Sequence, residues 1–266
     1  LRVKYTDPKF LEVLEKFEKE TGYRPKPEEL SRMMSYVFLN KLIFYKILEK
    51  AYKVPPLGPL PVNNARNFKT ALDMMFEKAI EVTKDFKTIF NTGIFDLIEF
   101  PDEARVLENI NDVILTLEQV NLEEFGDYVG YMYEDLIPPE ERHQLGQFYT
   151  PPAICELINR WCIRSGDDKV FDPGCGSGGF LLWAYRVLLK YKTGRERFPV
   201  PVDVHQKILS QLWGLDINPF PAQLSAINLS MRNVLAVSPE SEPNIFVEDF
   251  FKSEPGEQQT KFYLKA

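Results

Sequence analysis

The chain has 266 residues, a net charge of −7 and a pI near 5.1, the wrong sign of charge for coating duplex DNA, which is bound through Lys and Arg contacts to phosphate. Any DNA contact is therefore local or supplied by another part. A hydrophobic content of 44% suits packed cores, the length suits roughly two domains, and the sequence has neither a signal peptide nor an apolar run of the roughly 18 residues a membrane span needs, as in a soluble cytoplasmic protein.

The first 140 residues read as helices. Residues 8–20 gather Phe10, Leu11, Leu14 and Phe17 on one side, with Glu12/Lys16 and Glu15/Lys19 pairs at helical spacing. Residues 27–53 carry Leu30, Met33, Met34, Val37, Phe38, Leu42, Phe44, Tyr45 and Leu48, a pattern so broad that burial on much of the circumference is expected. A proline-rich break at 55–61 precedes helices expected near 67–90, 102–120 and 122–136. The sum is an α-helical bundle, residues 1–140, whose Met and aromatic side chains form its core.

Next comes Gln147-Phe148-Tyr149-Thr150-Pro151-Pro152, ahead of a helix expected from about 153 to 164. Proline suits a first helical turn, which puts Thr150 at the cap position, its hydroxyl and neighbouring N–H groups available to a carboxylate. Phe148 and Tyr149 offer aromatic faces. Taken alone, the segment reads equally as an ordinary capped helix with a packing aromatic. Cys155 and Cys162, seven residues apart, are expected on the core side of this helix.

From residue 141 the pattern changes to short β-rich runs between helices: strands at 169–172, 211–216 and 244–247, helices at 179–191 and 219–236. This order implies an α/β fold with a mainly parallel sheet and ligands at the carboxyl ends of its strands. Asp172, Asp216 and Asp249 each fall at such an end. Residues 192–204 read as an insertion that lengthens the first crossover. The basic run Arg186, Lys190, Lys192, Arg195 and Arg197 reads as a solvated helix end, with a phosphate-touching loop as the alternative.

The densest signal is Val170-Phe171-Asp172-Pro173-Gly174-Cys175-Gly176-Ser177-Gly178-Gly179, four glycines within six positions between a strand and a helix. Glycines there let the backbone adopt positive φ and approach a ligand closely. Gly174, Gly176 and Gly179 satisfy both the dinucleotide pattern and the looser pattern of S-adenosylmethionine (SAM) sites. Two features favour SAM. Asp216 lies too far downstream to be the ribose acid of a standard dinucleotide unit, and Asp172, just ahead of the glycines, repels a pyrophosphate but attracts a cationic amino group. Three cysteines without a Cys-x-x-Cys pair, and only His143 and His205, indicate neither a disulfide framework nor a metal site.

In this order, the Gln-Phe-Tyr-Thr-Pro segment, the glycine loop, Leu215-Asp216-Ile217-Asn218-Pro219 and Val247-Glu248-Asp249-Phe250-Phe251 resemble the amino-group DNA methyltransferases. Within these, residues 120–250 are similar to the adenine-methylating subunit of type I restriction-modification systems and to related single-chain enzymes. The resemblance implies a Rossmann-like SAM-dependent methyltransferase domain, residues 141–266, truncated at its C-terminus. It implies that Gln147, Phe148, Tyr149, Thr150 and Pro151 hold the methionine half of SAM together with Asp172, Gly174, Gly176, Ser177, Gly178 and Gly179. Asp216 would bind the ribose hydroxyls, Ile217 would cover the adenine ring, and Asp249 with Phe250 would reach its edge. For Asp249, a plain cap of the next helix is an equal reading.

The function so implied is transfer of a methyl group to the exocyclic amine of adenine in a specific DNA sequence, in a restriction system. Cytosine stays open as the target base. Double-stranded DNA would be contacted mostly outside this chain, with specificity and restriction subunits as partners, and the helical domain would meet those subunits or the duplex. The family's catalytic Asn/Asp-Pro-Pro-Tyr/Phe does not occur in these residues, and 261–266 read as the start of the strand before it. The chain is therefore expected to bind SAM without turnover. Rival readings are a protein glutamine methyltransferase, a dinucleotide oxidoreductase and a non-catalytic nucleotide-binding or interaction module.

Overall fold

A computed structural model describes residues 8–21, 24–83, 87–119, 150–196, 200–236 and 243–252. These fall into two compact units, one reaching residue 119 and one starting at residue 150. The boundary expected at 140 and the helix expected at 122–136 lie outside the described residues.

The N-terminal unit is helical: α1 (Pro8–Thr21), α2 (Pro27–Ala51), α3 (Ala65–Thr83), α4 (Lys87–Phe90) and α5 (Ala104–Gln119), with a 3-10 turn at Gly93–Leu97 before α5. Of the helix expected over 67–90, Ala65–Thr83 and Lys87–Phe90 are helical, and residues 84–86 lie outside the described residues. Helix α2 buries Leu30, Met34, Val37, Leu42, Phe44, Tyr45 and Leu48, and with them Lys41 and Lys46. A buried ammonium needs partners, and both have them. Lys46 Nζ donates to the Leu57 carbonyl (2.6 Å) and pairs with Glu49 (3.2 Å) and Glu118 (3.0 Å), while Lys41 Nζ donates to the Phe90 carbonyl (2.6 Å) and pairs with Asp96. The proline-rich break is fastened to α2 by Tyr45, whose hydroxyl donates to the Pro55 carbonyl at 2.7 Å, and by the Leu57 N–H, which donates to Glu49 at 2.6 Å.

The second unit alternates helix and strand: α6 (Pro152–Cys162), β1 (Val170–Asp172), α7 (Gly179–Thr193), α8 (Val202–Leu209), β2 (Leu212–Asp216), α9 (Pro219–Ser230), a 3-10 turn at Met231–Ala236, β3 (Asn244–Val247) and a 3-10 turn at Phe250–Lys252. The three strands pair in parallel in the order β1-β2-β3, with Asp172 opposite Gly214 and Asp216 opposite Val247. One face, through Val170, Leu212 and Ile245, joins the core of Leu181, Ala184, Leu188, Ile208, Ala222 and Leu229. Gly214 sits at its tightest point. A Cβ there would lie 2.8 Å from both Ile245 Cδ1 and Leu181 Cδ1 and 3.0 Å from Cys175 Sγ, so the central strand has no room for a side chain under the loop.

Several expectations change. Residues 202–209 form helix α8, where the sequence suggested only an insertion up to 204; its Ile208 and Leu209 enter the core, but eight residues behind Pro199 and Pro201 give too short a pattern to read. The helix expected to 236 leaves α-geometry at Ser230 and kinks at Asn233 (φ −153°, ψ 91°), whose side chain donates to the Val200 carbonyl at 2.6 Å. Cys155 is buried, but Cys162, the last residue of α6, is exposed. In the basic run, Lys190 pairs with Glu196 (2.6 Å), Lys192 with Asp167 (3.7 Å), and Arg186 lies 4.7 Å from the Trp183 ring centroid, as a helix end satisfied by its neighbours. Arg197 lies outside the described residues. No helix among the described residues is long and apolar enough to cross a membrane.

Candidate cofactor-binding site

The glycine loop joins the end of β1 to the start of α7. Gly176 (φ 53°) and Gly178 (φ 94°) occupy the left-handed region, which a side chain disfavours. Gly178 is needed twice over, because a Cβ would lie 2.7 Å from Ser225 Oγ and 3.3 Å from Ser225 Cα on α9. Gly174 differs: among the described residues nothing stands within 4 Å of a Cβ there, so their packing does not demand glycine and leaves open space beside Asp172.

Two carboxylates meet at this loop. Asp216 Oδ2 accepts the Gly176 N–H at 2.9 Å and Oδ1 accepts the Asn218 N–H at 2.8 Å, so the end of β2 holds the loop and starts the turn into α9. Asp172 Oδ1 accepts the Gly174 N–H at 3.2 Å. Its Oδ2 is buried and meets no hydrogen-bond donor among the described residues. Burial raises the pKa of both acids, and for Asp172 the negative charge of Asp216 adds to the rise. An unpartnered carboxylate oxygen beside a second acid is a place where a cationic group would be stabilised and a phosphate repelled. Between them, burial pushes the Cys175 thiol well above its ordinary range, which suits a spacer rather than a nucleophile.

The other expected positions divide. Ile217, directly after Asp216, is 58% exposed and free to lie on a ring. Asp249 Oδ1 accepts the Phe251 N–H at 3.1 Å, the capping role that was its alternative, and its other oxygen pairs with Lys252 at 3.2 Å. Phe250, 44% exposed, packs on Phe171 with ring centroids 5.9 Å apart. Thr150 is not the cap of α6. Pro151 is, with no side-chain cap bond, because Pro152 takes the first helical position and shifts the start by one residue. Pro151 and Pro152 carry no N–H, so this helix start offers fewer donors to a carboxylate than expected. Thr150 instead presents its carbonyl to Cys155 Sγ at 3.5 Å. Gln147, Phe148 and Tyr149 lie outside the described residues.

Two buried asparagines at the loop were not singled out from sequence. Asn228 of α9 donates to the Ser177 carbonyl at 2.9 Å, and Asn159 of α6 donates to the Phe180 carbonyl at 3.1 Å. Each sits among other polar residues on its helix, Glu156 and Arg160 beside Asn159 and Gln223, Ser225 and Ser230 beside Asn228, so the sequence does not set either apart. Among the described residues, no group of three or more His, Cys, Asp or Glu is placed to hold a metal ion.

The second unit is an α/β arrangement with a parallel sheet, a glycine loop and acids at its strand ends, and sequence comparison defines its class. Residues 124–262, more than half of the chain, match the N-6 DNA Methylase family, and the chain belongs to it. Over 136 residues it is 30% identical to the type I restriction enzyme MpnII methylase subunit of Mycoplasma pneumoniae, covering 48% of this chain and 22% of that one. Over 253 residues it is 25% identical to the type I restriction enzyme MjaVII methylase subunit of Methanocaldococcus jannaschii, covering 92% and 38%. The chain thus spans well under half the length of either relative. A crystal structure of a modification subunit ascribed to a type I restriction enzyme from Vibrio vulnificus YJ016 shares the fold, with a TM-score of 0.50 at 17% identity over 92% of this chain and 57% of that one.

Proposed function

We propose that residues 141–266 are the SAM-binding part of a Rossmann-like methyltransferase domain, preceded by a helical domain of residues 1–140. The intact protein would methylate the exocyclic amine of adenine in a specific duplex DNA sequence, as the modification component of a cytoplasmic restriction system. The observation that carries this reading is the pair Asp172 and Asp216 at the glycine loop, with Asp172 Oδ2 buried and meeting no hydrogen-bond donor among the described residues. That arrangement suits the ammonium of a methionine moiety and disfavours a dinucleotide pyrophosphate. Membership of the N-6 DNA Methylase family supports adenine as the base, and the names of the relatives support a type I system with specificity and restriction subunits as partners.

When bound, SAM supplies an electrophilic methyl on a sulfonium that becomes neutral on transfer. Asp172, with Thr150, Pro151 and the glycine loop, would hold the methionine half, and the open space beside Gly174 leaves room for it. Gln147, Phe148 and Tyr149 would complete that side. Asp216 keeps lone pairs for a ribose diol beyond its two backbone bonds. Ile217 would cover one face of the adenine, and Asp249 with Phe250 would lie at its edge. Fixing the donor in this way pre-orients the methyl for in-line attack by a base turned out of the duplex.

Calorimetry is the test. SAM and S-adenosylhomocysteine (SAH) should bind in the micromolar range or tighter and NAD should not; absence of heat with both adenosyl compounds at high protein concentration overturns the reading.

A further inference from the structure

We propose that Asn228 is a positioning residue that selects the ligand-competent shape of the glycine loop, an inference that rests on the SAM reading above. The peptide between Ser177 and Gly178 is held at both ends. Its carbonyl accepts from Asn228 Nδ2 at 2.9 Å, and its N–H donates to the Cys175 carbonyl at 2.8 Å. Because a peptide unit is planar, two such bonds fix the orientation of the whole unit. The fixing matters here more than elsewhere. Ser177 is flanked by Gly176 and Gly178, the two left-handed positions of the loop and the two joints with the most conformational freedom.

The seat is built for this contact. Ser225, one helical turn before Asn228, is fully buried and abuts Gly178, and Asn228 is fully buried too. On the opposite side, Asp216 holds the Gly176 N–H. The loop is therefore pinned from β2 by a carboxylate and from α9 by an amide. Asn228 Oδ1 meets no donor among the described residues, and asparagine is a poor helix former, so the residue gives the helix little. What it gives is a donor to the loop.

Asn228→Leu and Asn228→Asp, made in the full chain, test this. Leucine removes the donor together with the unpartnered oxygen, and aspartate keeps the shape but sets an acceptor against the Ser177 carbonyl. Both should weaken SAH binding by about tenfold or more while adenosine, which lacks the methionine half held by the loop, binds as it does to wild type in ligand-observed NMR. Amide hydrogen exchange should quicken at residues 176–179 and stay unchanged in the middle of α7 and α9. Unchanged SAH affinity in both variants, or equal losses for SAH and adenosine, overturns the inference, the second result marking a general packing role. A wild type that binds neither SAM nor SAH overturns the cofactor reading and this inference with it, so the two failures are told apart.

Discussion

Asp216 and Gly176, 40 residues apart in the chain, are joined by a 2.9 Å hydrogen bond from the glycine N–H to the aspartate carboxylate. The same carboxylate caps the turn at Asn218, and the Asp216 carbonyl accepts the Glu248 N–H at 3.0 Å. One residue thus ties β2 to the glycine loop, to the start of α9 and to the segment after β3. Asp216→Ala should lower stability by about 2–3 kcal/mol, because two charge-assisted bonds are lost, and reduce SAM binding by at least tenfold. Asp216→Asn, which keeps one acceptor oxygen, should fall between. Chemical denaturation and calorimetry on the same samples check both; an alanine variant with wild-type affinity would remove Asp216 from the site.

Asp172 shares the raised pKa of Asp216 but should respond in the opposite way to substitution, because its carboxylate accepts one backbone N–H where that of Asp216 accepts two. Its pKa in the folded state is raised by burial and by Asp216, so folding favours the protonated acid. The sign follows: the folded state binds more protons than the unfolded one above the ordinary aspartate range, and stability of the ligand-free protein declines as pH rises through the elevated pKa. Asp172→Asn should therefore raise the ligand-free melting temperature at neutral pH and flatten this dependence. It should also weaken SAM binding by about tenfold or more, because the charge facing the ammonium is gone. In wild type, affinity should drop as pH is lowered through the same range.

Gly178 carries both a positive φ and a contact that leaves no space for a methyl group. Gly178→Ala should cost more than about 1–2 kcal/mol, the conformational penalty alone, with the collision on Ser225 added to it. Gly178→Ala combined with Ser225→Ala should recover only the part of the collision made by the Ser225 hydroxyl, the 3.3 Å approach to Ser225 Cα remaining. Urea denaturation of the four proteins in a double-mutant cycle gives the coupling.

His205 is fully buried, with Nδ1 2.6 Å from the Tyr185 hydroxyl, and burial, aided by the positive charge of Arg232, lowers its pKa to about 4. A base held neutral in the folded state loses stability as pH falls from its unfolded pKa near 6.5 to that value, by about 3 kcal/mol in all. This slope opposes the one from Asp172. His205→Gln should remove it, and the difference between wild-type and variant stability curves from pH 7 to pH 4 isolates it from the acids.

Much of the second unit was legible because its elements are punctuated. Asn244–Val247 was readable as a strand to the residue, since apolar residues stand between polar neighbours, and the glycines marked where β1 gives way to α7. Helix α8 was not legible, because two prolines precede it and its eight residues hold barely two turns. The cap of α6 fell one residue late because two consecutive prolines both suit a helix start, and only packing decides which takes the first position. Of the candidate site, the acids could be found as residues ending apolar runs, but nothing local told Asp216, bonded across to the loop, from Asp249, bonded to its own next turn. Asn228 was hidden for a related reason: its partner lies 51 residues away, and that pairing is a property of the folded chain.

Gly214 has a consequence for how this region can change shape. With methyl groups of Ile245 and Leu181 and the sulfur of Cys175 all bearing on one bare backbone position, strand, helix and loop are keyed together like parts of a dovetail. A ligand that displaced Cys175 would disturb this shared seat, and a single added methyl at residue 214 would press on the Cys175 sulfur itself and so reach the loop directly.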